Sequence, residues 1–248
     1  MKPYYEENGI TIYHGDCRDI LPSLPKVDLV LTDPPYGKLA GASADGGSKA
    51  IGGKGFVEAN KYDLSWDTYT INHPDLDLIF LHGMNYIIWG ANYFWDHFKP
   101  TNSLIVWDKK CQNGWDDTFS DGEIAISSYG KKLTIYRQLW VGALKSGETV
   151  KRQHPTEKPP ELMRWILGTY ITEPFKTVID PFMGSGTTLR AAKDLGKNCI
   201  GIEINEQFCD IAVRRLQQEV LPLTESTKGI QVPTIDSCPP SGDLFKLT

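Results

Sequence analysis

Apolar positions along the chain follow two alternating periods. Short apolar runs bounded by turn-forming residues predict strands over 10–13, 27–32, 86–89, 103–107, 123–127, 133–140, 177–179 and 199–203. Between several of them apolar residues recur at helical spacing, which predicts helices over 18–24, 75–82, 92–98, 160–171, 187–195 and 206–219. Strands that are apolar at nearly every position, interleaved with amphipathic helices, belong to an α/β fold: a mainly parallel sheet whose two faces are both covered by helices. Gly196 directly follows the last apolar position of its helix and supplies a left-handed stop.

Two stretches fit neither period. Residues 37–55 are dense in Gly, Ala, Ser and Lys, and the wider segment 37–67 is expected to be a mobile loop. From Leu221 onward the chain is rich in Pro, Ser and Thr. The expected organisation is one domain over 1–220 and a C-terminal tail over 221–248, with no internal repeat.

Composition narrows the class further. No apolar run approaches the roughly 18 residues needed to span a bilayer, and the polar, acidic stretch Met1 to Gly9 does not resemble a targeting peptide. A cytoplasmic location is the expectation. Five cysteines, odd in number and without a C-x-x-C pair, disfavour a disulfide framework or a zinc site, and reduced core thiols are expected. The net charge of −5 argues against a protein that simply coats nucleic acid. The charge is unevenly spread, however. Between Lys131 and Lys158 stand seven basic residues (Lys131, Lys132, Arg137, Lys145, Lys151, Arg152, Lys158) against two acidic ones. That stretch is either a solvated face or a surface for a polyanion.

The first chemical constellation runs from Thr177 to Thr188 (TVIDPFMGSGTT), a strand entering a glycine turn and then a helix. Gly184 and Gly186 let the backbone approach a ligand closely, and the free N–H groups around Ser185, Thr187 and Thr188 favour a carboxylate or phosphate. The next strand ends in Glu203, placed to accept hydrogen bonds from ribose hydroxyls. A nucleoside pocket follows. A dinucleotide site is the competitor, but that motif wants Gly or Ala three positions after Gly186, where Leu189 stands. Asp180 would also repel a pyrophosphate, whereas it suits a ligand's ammonium group. S-adenosylmethionine carries such a group.

The second constellation is VDLVLTDPPYG, from Val27 to Gly37. A buried strand ends in Asp33, and Pro34 and Pro35 then fix the backbone and remove two N–H donors. An exocyclic amine is a poor nucleophile until acceptors engage its hydrogens. The Asp33 carboxylate and the Pro34 carbonyl could do so, with Tyr36 offering a face for an extruded base. Alone, a Pro-Pro turn beside a core tyrosine is the commoner meaning of such a run; beside a nucleoside pocket the functional reading prevails.

These two motifs, DPPY at Asp33–Tyr36 followed by DPFMGSGTT at Asp180–Thr188, resemble the β-class DNA amino-methyltransferases, which include restriction–modification methylases. Their order is the circularly permuted one that defines the class, and the resemblance covers roughly residues 9–216. It implies a Rossmann-like S-adenosylmethionine methyltransferase fold, S-adenosyl-L-methionine as cofactor, and double-stranded DNA as partner. By the same resemblance Asp16, in Gly15-Asp16-Cys17, binds the cofactor adenine, with Cys17 beside it and a helix N-cap as its alternative role. Thr156 and Lys158, in HPTEKP, are placed near the methionine end of the donor; the family often has glutamine where Glu157 stands. Asp180, Phe182, Gly184, Ser185, Gly186, Thr187, Thr188 and Glu203 complete the expected cofactor site. Asp33, Pro34, Pro35 and Tyr36 form the catalytic one.

The expected function is transfer of methyl to N6 of a flipped-out adenine, because DPPY begins with aspartate where cytosine-N4 enzymes more often begin with serine. Cytosine-N4 is the alternative; an RNA or protein-glutamine methyltransferase fits less well, since those more often carry NPPY and the unpermuted order, and the intact glycines and acidic tetrad argue against an inactive DNA-binding relative. Trp89, Trp95 and Trp107 are expected in the core, and Trp66, Trp115 and Trp140 at the DNA. Residues 111–152 are the candidate target-recognition region. The resemblance leaves room for a homodimer and a companion restriction enzyme. His14 is expected to be structural, and no histidine spacing suggests a metal.

Overall fold

The computed structural model describes residues 1–35, 71–99, 101–111, 120–130, 132–141, 144–145 and 157–218. Eleven strands and five α-helices follow one another as β1 (Tyr5–Glu7), β2 (Ile10–His14), α1 (Cys17–Ile20), β3 (Val27–Thr32), α2 (His73–Phe80), β4 (Gly83–Trp89), β5 (Leu104–Asp108), β6 (Gly122–Ser127), β7 (Thr134–Arg137), β8 (Trp140–Val141), β9 (Leu144–Lys145), α3 (Pro160–Tyr170), β10 (Thr177–Asp180), α4 (Thr187–Asp194), β11 (Asn198–Glu203) and α5 (Glu206–Gln217) among the described residues. Nine strands form one sheet in the order β1-β2-β11-β10-β3-β4-β6-β5-β7. The run β2-β11-β10-β3-β4 is parallel throughout, and β6 runs antiparallel to both of its neighbours.

Side-chain alternation divides the sheet into two cores. Leu29, Leu31, Ile87 and Val178 pack with α3, α4 and α5 on one face. Val30, Ile88, Ile179 and Ile202 pack with Ile20, Leu76 and Ile79 of α1 and α2 on the other. Neighbouring residues of one strand thus serve opposite cores, which is why the central strands read as unbroken apolar runs. The α/β class, the mainly parallel sheet and the helices on both faces agree with the sequence. α2 starts where Asn72 accepts the Asp75 N–H at 2.9 Å, and α5 where Asn205 accepts the Gln207 N–H at 2.9 Å.

Several local expectations change. The helix over 92–98 is two 3-10 turns, Ala91–Tyr93 and Trp95–His97. Phe94 between them has φ of −125°, and only Ala91 and Phe94 of this run are buried, so the buried stripe that holds a full helix is missing. Trp95 accordingly stands 51% exposed rather than in the core. The helix over 18–24 stops at Ile20 and continues as a 3-10 turn containing Pro22. The strand over 133–140 ends at Arg137, after which Trp140 opens the β8–β9 hairpin. Strand β1, too polar to stand out, pairs antiparallel with β2. Cys17, Cys199 and Cys209 are buried free thiols as expected, but Cys111 is disulfide-bonded. The expected loop over 37–67, the tail over 221–248 and most of the region 111–152 lie outside the described residues.

Candidate active site

Parallel strands bring their carboxyl ends to one rim. Asp180 ends β10, Glu203 ends β11, Asp33 follows β3, Trp89 ends β4, and Gly15-Asp16 follows β2. From β3 the chain proceeds outward to β4, while from β10 it proceeds the other way to β11. The crevice above β3 and β10 is therefore the point where strand order reverses, the usual ligand site of an open α/β sheet. A cleft opens there, lined by Asp16, Asp33, Lys158, Asp180, Phe182, Gly184 and Glu203 among others.

The glycine turn shapes one wall. Gly184 and Gly186 take φ of +51° and +79°, left-handed values that side chains resist. A Cβ on Gly186 would also lie 2.7 Å from the Ala212 Cβ of α5. Glycine here lets α4 begin at the rim with its first N–H groups toward the cleft.

Two carboxyls in this wall are held back from ionising. Asp180 is 4% exposed; burial pushes its pKa to about 6, against hydrogen bonds from Thr188 and Thr32 hydroxyls and the Phe182 N–H. The Thr32 hydroxyl donates to Asp180 Oδ1 at 2.7 Å. Burial likewise raises Glu203 to about 7, although the N–H groups of Gly184 and Asn205 donate to its two oxygens at 3.0 and 2.8 Å. Buried carboxyls near neutrality favour a cationic or hydrogen-bond-donating ligand, which would complete their ionisation. The ammonium and ribose of S-adenosylmethionine have that chemistry, so the residues present fit this cofactor. Asp16 caps α1, accepting the Arg18 N–H at 2.9 Å and pairing with its guanidinium, which lowers its pKa.

The opposite wall carries alternating charge. The Lys158 ammonium, 5% exposed, pairs with Asp33 Oδ2 and lies 3.2 Å from Glu123 Oε2 and 5.3 Å from the centre of the Trp89 ring. Lys109 in turn donates to Glu123 Oε1 at 2.7 Å and lies 5.2 Å from the Trp107 ring centre. Burial pushes the Glu123 carboxyl up, but the two ammonium groups outweigh it and hold it down at about 2; burial pushes Lys158 down, but Asp33 and Glu123 outweigh it and raise Lys158. Beside this wall the buried Arg215 pairs with Glu157 and donates to the Thr187 hydroxyl at 2.7 Å. That contact gives Glu157 a structural partner where the family often has glutamine.

The expected residues Asp16, Cys17, Asp33, Pro35, Lys158, Asp180, Phe182, Gly184, Ser185, Thr187, Thr188 and Glu203 all line this single cleft. Pro34 is buried outside its lining, and Gly186 acts through the turn. Tyr36 and Thr156 lie outside the described residues, as do Trp66 and Trp115. Trp140, expected at the DNA, is 6% exposed and donates its indole N–H to the Glu157 carbonyl at 3.2 Å. The basic stretch is not uniformly free for phosphate, since Arg137 stands 3.5 Å from Asp108 and Lys158 is buried between carboxylates. Lys132 remains exposed. His14 bonds the Ile204 carbonyl at 3.1 Å and lies against Tyr4, a structural role. Sequence reasoning missed Glu123, Lys109 and Arg215, which carry no motif.

A permuted α/β sheet whose switch point holds both an acidic glycine-turn pocket and a strand-end aspartate defines a nucleoside-dependent group-transfer enzyme. The N6/N4 methyltransferase family, described as DNA methylase, matches residues 80–214, more than half of the chain. The chain belongs to this family, whose methyl donor is S-adenosylmethionine. It is 28% identical to the type II methyltransferase M2.DpnII of Streptococcus pneumoniae, over 88% of this chain and 93% of that one. Against M.HinfI of Haemophilus influenzae the identity is 28%, over 84% of this chain and 68% of the other. Among solved structures, the M1.HpyAVI complex with S-adenosylmethionine superposes with a TM-score of 0.52 at 22% identity, covering 84% of this chain and all of that one. The cytosine-N4-specific PvuII DNA methyltransferase gives 0.51 at 17% identity, over 88% and 96% respectively. At those identities the two structures show a shared fold.

Proposed function

We propose that this DNA methylase transfers its methyl group to N6 of an adenine turned out of duplex DNA, at a short target sequence. The observation that supports this best is the meeting of Asp33 and Asp180 in one cleft, at the ends of adjacent strands. Asp180, Glu203 and the α4 N-terminus would hold the cofactor, with Asp16 and Phe182 lining the same cleft for its base. When bound, S-adenosylmethionine supplies a methyl carbon made electrophilic by its sulfonium. Asp33 and the Pro34 carbonyl accept the two N–H groups of the substrate amine, which frees its lone pair for attack, and Tyr36 stacks on the base. Positioning and preorganised acceptors supply the acceleration.

Adenine is favoured over cytosine by the aspartate that opens DPPY. A cytoplasmic setting, a homodimer and a partner restriction enzyme complete the proposal, motivated by the type II relatives; no described helix is long and apolar enough to cross a membrane. Unmethylated duplex DNA treated with the protein and cofactor, digested to nucleosides and analysed by mass, should yield N6-methyl-2′-deoxyadenosine. N4-methyl-2′-deoxycytidine would transfer the assignment to cytosine. Asp33→Ala should lose roughly a hundredfold or more in turnover while still binding cofactor, and near-normal turnover would remove Asp33 from the mechanism.

A further inference from the structure

We propose that Glu123 is a positioning residue for methyl transfer, acting through Lys158 on Asp33. The inference rests on the reading of Asp33 as an acceptor of the substrate amine. Glu123 lies on β6, outside both motifs, and is absent from the lining of the cleft. Its Oε2 lies 3.2 Å from the Lys158 ammonium, which also pairs with Asp33. Its other oxygen takes Lys109 at 2.7 Å.

The arrangement addresses a competition at Asp33. A neutral amine N–H bonds a carboxylate more weakly than an ammonium does. Lys158 therefore occupies Asp33 with a stronger donor than the substrate offers. At 5% exposure, with the Trp89 ring beside it, its ammonium gains little from water when the substrate arrives. A second carboxylate resolves this. Glu123 divides the charge of Lys158, so the ammonium can lean toward Glu123 while Asp33 turns part of its accepting capacity to the amine. Lys109 offsets the charge of Glu123 and holds it from behind. Without the Glu123 carboxylate, Asp33 alone must neutralise the buried ammonium, and its availability to the substrate falls.

DNA affinity arises mainly from phosphate contacts, and Lys158, which stands near the expected methionine end of the cofactor, is retained in a Glu123 variant while Glu123 itself lies outside the cleft lining, so neither affinity should depend strongly on Glu123. The test is steady-state methylation of unmethylated duplex DNA with labelled S-adenosylmethionine. Calorimetry supplies cofactor affinity, and thermal melts report folding. Glu123→Gln should lower kcat about tenfold or more, with KM for DNA and Kd for cofactor within about twofold of wild type. Glu123→Asp, which keeps the charge at shorter reach, should lie between the two in kcat at the same KM. Wild-type kcat in Glu123→Gln would overturn the proposal, as would a parallel loss of kcat and both affinities. Should Glu123→Gln fail to fold, Glu123→Asp decides: a loss confined to kcat supports the proposal and an unchanged kcat overturns it. Asp33→Ala in the same assay separates the two readings. If it is inactive while Glu123→Gln is normal, only the Glu123 role fails; if Asp33→Ala turns over normally, the reading of Asp33 fails with it.

Discussion

Replacing Lys158 with methionine removes the cation shared by Asp33 and Glu123 while keeping most of the side chain's volume. Two carboxylates that had met at one ammonium would then face each other with Lys109 as the remaining described cation on Glu123. The ammonium groups that hold the Glu123 carboxyl far below its ordinary range contribute to folding stability. Part of that belongs to Lys109, and the Glu123 side chain is 25% exposed, so the share due to Lys158 is smaller. Against this, removing one member of a buried ion pair costs about 3–5 kcal/mol in general. The expected loss is therefore about 2–4 kcal/mol at pH 8. A carboxyl with a depressed pKa contributes stability above its unfolded value near 4.5, and loses it as pH falls through about 2. The wild-type contribution thus persists across the neutral range. In the variant the facing carboxylates repel and gain a proton on acidification, so the difference should narrow toward pH 5. Urea unfolding followed by tryptophan fluorescence, at pH 5 and pH 8 without cofactor, measures both. A loss below about 1 kcal/mol at pH 8 would refute the claim that Lys158 is a structurally committed cation.

Asp180 and Glu203, raised to about 6 and 7, make the protein's stability fall as pH rises: their contributions are complete below 3.8 and 4.5 and are lost through about 6 and 7. Cofactor binding that ionises them should strengthen between pH 5.5 and 8 and release protons, which calorimetry in buffers of different ionisation enthalpy reads directly; pH-independent affinity would contradict this. Gly186→Ala combines a left-handed φ of +79° with a contact of 2.7 Å to Ala212, and should cost about 2–4 kcal/mol with weakened cofactor binding. A wild-type melting temperature in that variant would show that the turn relaxes freely.

What was legible in the sequence was local. Asp180 and Glu203 each end an apolar strand and Asp33 directly follows one, and parallel strands carry their ends to the same rim, so the site followed from three short runs once the sheet was parallel. The charge wall was hidden because it is assembled across strands: Glu123 reaches Lys158 only because β6 turns antiparallel beside β4. The tryptophans near polar segments misled for a related reason. Trp140 lies just after the polar pair Arg137–Gln138 yet folds under the Glu157 carbonyl, and Trp95 sits among aromatic residues yet faces solvent. Likewise the cationic stretch counted Arg137 and Lys158 as available, whereas tertiary partners consume both.

The insertion of β10 between β3 and β11 has a consequence for how the chain becomes a protein. Leu29 and Val178 pair directly although 149 positions separate them, and closing so long a span is slow. During synthesis the strand bearing Asp33 waits with one flank bare until β10 leaves the ribosome, so the middle of the sheet is completed last. A polypeptide interrupted after α3 would retain that strand and its adhesive edge without its cover, making incomplete chains the most aggregation-prone form of the molecule.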